Sequence, residues 1–211
     1  MRIKKQNYLK HAIVLFLLLL LMQPERALAA YENIEFSSLT NHDGLTNSQV
    51  GAILKDARGY IWFGTQSGLC RFDGFRMKTF YYSNTDDKSL PNNSVDELQQ
   101  DYDGNIWVHT SVGYSIYKYD EEQFERKPEE WLKNIHVQGP PYKLLIDKDK
   151  NMWIAVYGQG LFFHNAKTKN TYLFKFTKKA QPGCLKEGDI SKITEVDGDA
   201  LITYNDGTIC R

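Results

Sequence analysis

Three short segments, Gly59-Tyr60-Ile61-Trp62, Gly104-Asn105-Ile106-Trp107 and Lys150-Asn151-Met152-Trp153, place tryptophans 45 and 46 residues apart. A chain that copies itself at such an interval is confined to repeat architectures, in which one supersecondary unit cannot bury its own apolar face. The copying extends beyond the indoles. Six residues before each tryptophan stands an aspartate, Asp56, Asp101 and Asp147. Asn47 and Val50 lie fifteen and twelve residues before Trp62, as Asn92 and Val95 do before Trp107. Gly68 and Gly113 follow their tryptophans by six residues and Gly160 follows by seven, one inserted residue. A worn fourth unit begins near Ile190, with Leu201 where the tryptophan belongs and Gly207 six residues later.

Each unit reads as short strands joined by tight turns. In the first, Val50–Leu54, Tyr60–Thr65, Leu69–Phe72 and Phe75–Tyr82 are rich in β-branched and aromatic residues, and Asp73-Gly74 is a hairpin signal. The second repeats this with Val95–Gln99, Asn105–Thr110, Tyr114–Tyr119 and a segment around Phe124. Helical periodicity is weak, apart from one turn expected at Glu129–Asn134. A four-stranded antiparallel sheet recurring at this interval describes a propeller blade. One indole per blade is a suitable plug between blades, since burying ~200 Å² is worth about 5 kcal/mol before opposing terms. The fold class expected is all-β: an incomplete β-propeller of about three and a half blades. The units run roughly over 36–82, 90–128, 139–177 and a truncated 188–211. Gly64, His109, Ala155 and Thr203, two residues after each tryptophan or its substitute, are mostly small, and a place beside the central axis is expected for them.

The first thirty residues are a separate object. Arg2, Lys4, Lys5 and Lys10 precede an apolar run from Ala12 to Met22, and Ala27-Leu28-Ala29 offers small residues where a signal peptidase cuts. This order describes a secretory signal peptide over 1–30, too short to anchor as a span of about 20 residues. The expected domains are therefore a signal peptide over 1–30 and a partial propeller over 31–211, exported to the periplasm without a membrane span after cleavage.

The entry Leu45-Thr46-Asn47-Ser48-Gln49-Val50, the turn Asp56-Ala57-Arg58-Gly59, the strand Trp62-Phe63-Gly64-Thr65 and the turn Gly68-Leu69 resemble the two-component regulator propeller repeat. Leu90-Pro91-Asn92-Asn93-Ser94-Val95, Asp101-Tyr102-Asp103-Gly104 and Trp107-Val108-His109-Thr110 repeat the likeness. The third unit departs from it, with Lys150 in place of the turn glycine, and the fourth lacks the tryptophan. The resemblance implies the periplasmic sensor region of a hybrid two-component histidine kinase. No phosphoacceptor helix, ATP lid or receiver motif is visible in the sequence, so a truncated piece of such a sensor is expected. Its implied role is sensing of an oligosaccharide ligand, without catalysis of its own. Remaining blades or another protein would complete the ring.

Other chemistries find little support. Lysine plus arginine equals aspartate plus glutamate at 26 each, so no general nucleic-acid footprint exists and no such partner is expected. Asp101-Tyr102-Asp103-Gly104-Asn105 starts like a calcium loop, but Ile106 and Val112 occupy the positions that need glycine and glutamate. The aspartates are read as turn caps, with no metal and no cofactor. Cys70, Cys184 and Cys210 form an odd set without ligand spacing; Cys70 is read as a small core residue and Cys184 as a loop thiol. Tyr81, Tyr82, Tyr114, Tyr117, Tyr119, Tyr142 and Tyr157 are read as surface aromatics able to stack on sugars. Two alternatives stay open: a propeller lyase or hydrolase, for which Gly64, His109, Ala155 and Thr203 are poor material, and a truncated gene product without function. The ligand-binding residues are not identifiable, and the site reduces to repeat landmarks: Trp62, Trp107, Trp153, Asp56, Asp101, Asp147, Gly68, Gly113 and Gly160.

Overall fold

The computed structural model of the chain describes residues 36–176, 185 and 189–211. The signal peptide expected over 1–30, Cys184 and the start of the fourth unit lie outside those residues. Residues 39–211 hold four antiparallel sheets. Blade 1 comprises β1 Val50–Lys55, β2 Ile61–Thr65, β3 Gly68–Phe72 and β4 Met77–Phe80. Blade 2 comprises β5 Val95–Gln100, β6 Ile106–Thr110, β7 Gly113–Lys118 and β8 Gln123–Glu125. Blade 3 comprises β9 Pro141–Ile146, β10 Met152–Val156, β11 Gly160–His164 and β12 Thr171–Phe174. Blade 4 has three strands, β13 Ile190–Val196, β14 Asp199–Tyr204 and β15 Ile209–Cys210. Each sheet is a simple up-and-down meander in chain order. The described residues thus form an all-β propeller arrangement of three four-stranded blades and a fourth of three strands.

The turns explain the repeated sequence. Asp56 Oδ1 accepts the backbone N–H groups of Arg58 and Tyr60, and Asp101 Oδ1 accepts those of Asp103 and Asn105. In blade 3, Asp147 Oδ1 accepts from the Asn151 N–H at 2.8 Å. The asparagines that precede the first strands act alike, Asn47 accepting from Gln49 N–H and Asn92 from Ser94 N–H. Gly68 and Gly160 open their third strands at φ 134° and 137°. A Cβ on either would also meet a backbone carbonyl, that of Phe80 at 2.9 Å or of Phe174 at 2.3 Å, so both conformation and space demand glycine.

Apolar side chains fill the gaps between blades rather than a single centre. Trp62 and Leu69 of blade 1 pack with Leu98, Ile106, Val108 and Tyr117 of blade 2. Trp107 and Ile116 pack with Leu144, Met152 and Ile154 of blade 3. Trp153, Ala155 and Leu161 pack with Ile190, Ile193 and Ile202 of blade 4. The three indoles therefore occupy matching slots, each covered by the next sheet. A short helix, α1 Pro128–Leu132, continued by a 3₁₀ turn over Lys133–Ile135, falls where a helical turn was expected and adds Leu132 and Ile135 to the second gap.

Two expectations are corrected. The strand nearest the axis is the first of each blade, not the tryptophan-bearing second, because β1, β5, β9 and β13 all contribute residues to one central cavity. Gly64, His109, Ala155 and Thr203 sit one strand out, paired across to Ala52, Glu97, Lys143 and Lys192. Tyr114 and Tyr117 are not surface aromatics. Both are buried, because their rings fill the gaps on either side of blade 2.

Candidate functional site

The first strands carry a shared irregularity. In each blade the pairing with the second strand slips by one residue near the strand's start, leaving Gly51, Asp96, Tyr142 and Ser191 as the extra residues. A β-bulge re-aims the extra side chain and sharpens local twist, and bulges are concentrated next to binding and active sites. Here the four bulges lie at one end of the sheets, the end that also carries the turns between second and third strands.

Around that end the bulge residues meet second-strand residues and turns. Asp96 Oδ1 lies 2.6 Å from His109 Nδ1, and the imidazole packs on the Tyr114 ring with centroids 4.4 Å apart and planes tilted by 53°. In blade 3, Tyr142 stacks on Tyr157, with ring centroids 4.0 Å apart and 19° between the planes. Tyr157 itself is 64% exposed. In blade 4, Ser191 and Thr203 hydroxyls are 3.1 Å apart. The rim thus offers an acid–imidazole pair, an exposed aromatic platform and paired hydroxyls on three successive blades.

Beneath the rim a cavity of about 440 Å³ runs between the first strands. Its apolar wall includes Ala52, Leu98, Leu144 and Ile193. Its charged groups are Glu97, Lys143 and Lys192. Glu97 is held from two sides: Tyr114 Oη donates to Oε2 at 2.8 Å, and Lys143 Nζ lies 3.7 Å from Oε1. Burial first, then the charge of Glu97, holds the Tyr114 phenol well above its usual range, so it remains a hydrogen-bond donor. The same hydroxyl accepts the Leu144 N–H at 3.1 Å, and Gln99 bonds Leu144 O and Ile146 N–H, tying blade 2 to blade 3 across the cavity wall.

The tryptophan and aspartate landmarks lie elsewhere, whereas Gly68, Gly113 and Gly160 open the third strands at the rim end. Trp62 and Trp107 are buried between blades, Trp153 is half-buried there, and Asp56, Asp101 and Asp147 hold turns at the opposite end of the sheets. Cys70 is buried against Thr46, whose hydroxyl is 3.3 Å from its sulfur, and both Cys70 and Cys210 are free thiols. Among the described residues no group of His, Cys, Asp and Glu is arranged to hold a metal. No helix among them is long and apolar enough to cross a membrane. Of the tyrosines singled out in the sequence, Tyr81, Tyr82 and Tyr157 are exposed. Glu97, Lys143 and Lys192 were missed, although they lie ten, ten and nine residues before Trp107, Trp153 and Leu201, a register the repeat itself defines.

A family model described as two component regulator propeller matches residues 44–67 and 89–111. Histidine kinase P4 of Formosa agariphila is 41% identical over 61 residues, which are 29% of this chain and 4% of that protein. The extracellular domain of the hybrid two component system BT3049 from B. thetaiotaomicron superposes with a TM-score of 0.57 at 23% identity, over 82% of this chain and 24% of that one. The extracellular domain of BT4673 from the same organism, described as a one component system, gives a TM-score of 0.50 at 16% identity, over 82% of this chain and 26% of that one. The chain therefore spans about a quarter of the length of these structures and a small part of the kinase. The two matched segments are the stretches that lead into and form the first two strands of blades 1 and 2, so in those segments the chain is similar to the two component regulator propeller repeat, and its fold is that of the extracellular propeller domains it superposes on.

Proposed function

We propose that this chain is the ligand-recognising part of an exported two-component sensor, that its ligand is an oligosaccharide, and that it performs no chemistry itself. The observation that carries this reading is the rim, where the exposed Tyr157 ring, backed by Tyr142 at 4.0 Å, stands at the same end of the blades as the Asp96–His109 pair. An exposed, pre-stacked aromatic face suits the apolar face of a sugar ring, and an acid–imidazole pair suits its hydroxyls. The matched repeats and the segment shared with a histidine kinase favour a sensor over an unrelated propeller. Export to the periplasm follows from the leader read in the sequence. Further blades, in the same protein or a partner, would complete the ring.

Calorimetric titration with a panel of neutral and acidic oligosaccharides tests this. At least one should bind, and Tyr157→Ala should weaken it by roughly tenfold, the worth of one good aromatic contact. A panel without binders, or a Tyr157→Ala chain that binds as well as the parent, would sink the reading. The Asp96–His109 pair is the feature that favours an enzyme instead. New reducing or unsaturated ends in the same mixtures, lost in His109→Ala, would replace recognition by cleavage.

A further inference from the structure

We propose that the axial cavity is a carboxylate-binding site whose cationic walls are Lys143 and Lys192. The charge balance carries this. Two lysines, Lys143 and Lys192, line a cavity with one carboxylate, Glu97, and both oxygens of that carboxylate are already engaged, by Tyr114 Oη at 2.8 Å and Lys143 Nζ at 3.7 Å. Lys192 is exposed and makes no ion pair among the described residues, so its charge adds to that of the cavity lining uncompensated.

A bound anion would balance the surplus positive charge of this lining, with Leu98, Leu144 and Ile193 supplying an apolar wall beside it. The size fits as well. A volume of about 440 Å³ lies within the ~300–1,000 Å³ of small-molecule sites. A planar carboxylate offers two acceptor oxygens, one for each lysine, whereas Glu97 is fixed in place and sets a limit on how much negative charge the cavity takes. A monocarboxylate balances the surplus of one positive charge; a dianion overshoots it. The carboxylate has two possible sources, a uronic acid residue of a saccharide or a free small organic acid. The uronate source rests on the oligosaccharide reading above; the cavity's preference for carboxylate does not.

The test is titration of the full chain with D-glucuronate, D-glucose and acetate, followed by calorimetry and by NMR of lysine side chains. Glucuronate should bind at least about tenfold more tightly than glucose, with the Lys192 and Lys143 ammonium signals shifting together. Lys192→Gln should lose about tenfold or more in affinity, and Lys192→Arg should retain most of it. If acetate reproduces the Lys192-dependent shifts, a free acid suffices; if glucuronate alone does, the sugar ring is also read. Both outcomes support the site. Glucuronate binding no tighter than glucose, or unaltered in Lys192→Gln, overturns it. Lys143→Gln serves as a second variant should Lys192→Gln not fold. Loss of the Tyr157→Ala effect on oligosaccharides, with the lysine dependence intact, would instead strike the rim and leave the cavity standing.

Discussion

The indole N–H of Trp62 donates to Asp56 Oδ2 at 2.6 Å, and in blade 2 Trp107 donates to Asp101 Oδ2 at 2.9 Å. One aspartate thus does two jobs. Its Oδ1 closes the turn between first and second strands, and its Oδ2 satisfies the single polar atom of the plug between blades. In blade 1 the bond network reaches the next sheet, where Tyr119 donates its hydroxyl to Asp56. Burial, then that bond, holds the Tyr119 phenol above its usual range.

Asp101→Ala therefore leaves four donors without their acceptor at once: the Trp107 indole N–H, the backbone N–H groups of Asp103 and Asn105, and the Asn105 side-chain amide. Unsatisfied buried donors cost about 1–3 kcal/mol each before relaxation. The expected loss is about 2–4 kcal/mol, read as a lower urea midpoint with an unchanged slope. Trp107→Phe, which keeps most of the plug and deletes the donor, should lose less. An Asp101→Ala chain as stable as the parent would show that the bond is incidental.

Gly64 tests the tightness of blade packing. A Cβ there would lie 2.6 Å from Val95 Cγ1 and 3.2 Å from the Val95 carbonyl oxygen. Val95 is β-branched and fully buried, so it has little freedom to turn aside. Gly64→Ala should cost about 1–3 kcal/mol in thermal or urea unfolding. Adding Val95→Ala should return part of that loss, giving a measurable coupling between the two sites. Simple additivity of the two changes would mean that the blades separate to accommodate the methyl.

The landmarks legible in the sequence were those that every blade must reproduce, and the reason is visible in Asp56, Trp62 and Gly68: each solves a problem that recurs with each sheet. The cavity residues face no such common demand. Ala52, Glu97, Lys143 and Lys192 occupy one register yet share no chemistry, so self-comparison passes over them. The bulges hid the axis too. An extra residue such as Asp96 changes neither composition nor repeat length, but it decides that Glu97 pairs with His109 and that the first strand lines the cavity. Small side chains at Gly64 and Ala155 were read as crowding at the hub; the crowding at Gly64 is that of Val95 in the neighbouring blade.

Ile53 and Leu144 hold equivalent positions with opposite surroundings. Leu144, like Leu98 and Ile193, is covered by the preceding blade, while Ile53 on blade 1 is 67% exposed against 4% for Leu144. Leu144→Thr should cost about 2–4 kcal/mol through lost burial and an added hydroxyl. Ile53→Thr should leave stability of this chain within about 0.5 kcal/mol and reduce its self-association, measured by light scattering against concentration. Equal destabilisation by the two changes would show that the Ile53 face is covered in solution.

His164 makes the fold sensitive to mild acid. It is buried, its Nδ1 lies 2.9 Å from Thr171 Oγ1, and its Nε2 has no hydrogen-bond partner among the described residues. Lys169 stands near, with its ammonium 3.4 Å from the centre of the Tyr102 ring that packs on the imidazole. Burial first, then the charge of Lys169, lowers the His164 pKa below its ordinary value of 6.5. The unfolded chain therefore takes up a proton more readily than the folded one as the pH drops. The stability tied to a neutral His164 is complete above pH ~6.5 and is lost progressively as the pH falls towards and through the folded-state value. Carboxylates titrate in the lower part of this range, so the variant His164→Gln, which cannot be protonated, isolates the effect. Urea unfolding of both chains between pH 8 and pH 5 should show the parent losing stability relative to His164→Gln as the pH falls. Parallel curves for the two chains would mean that the imidazole reaches water and is protonated in place.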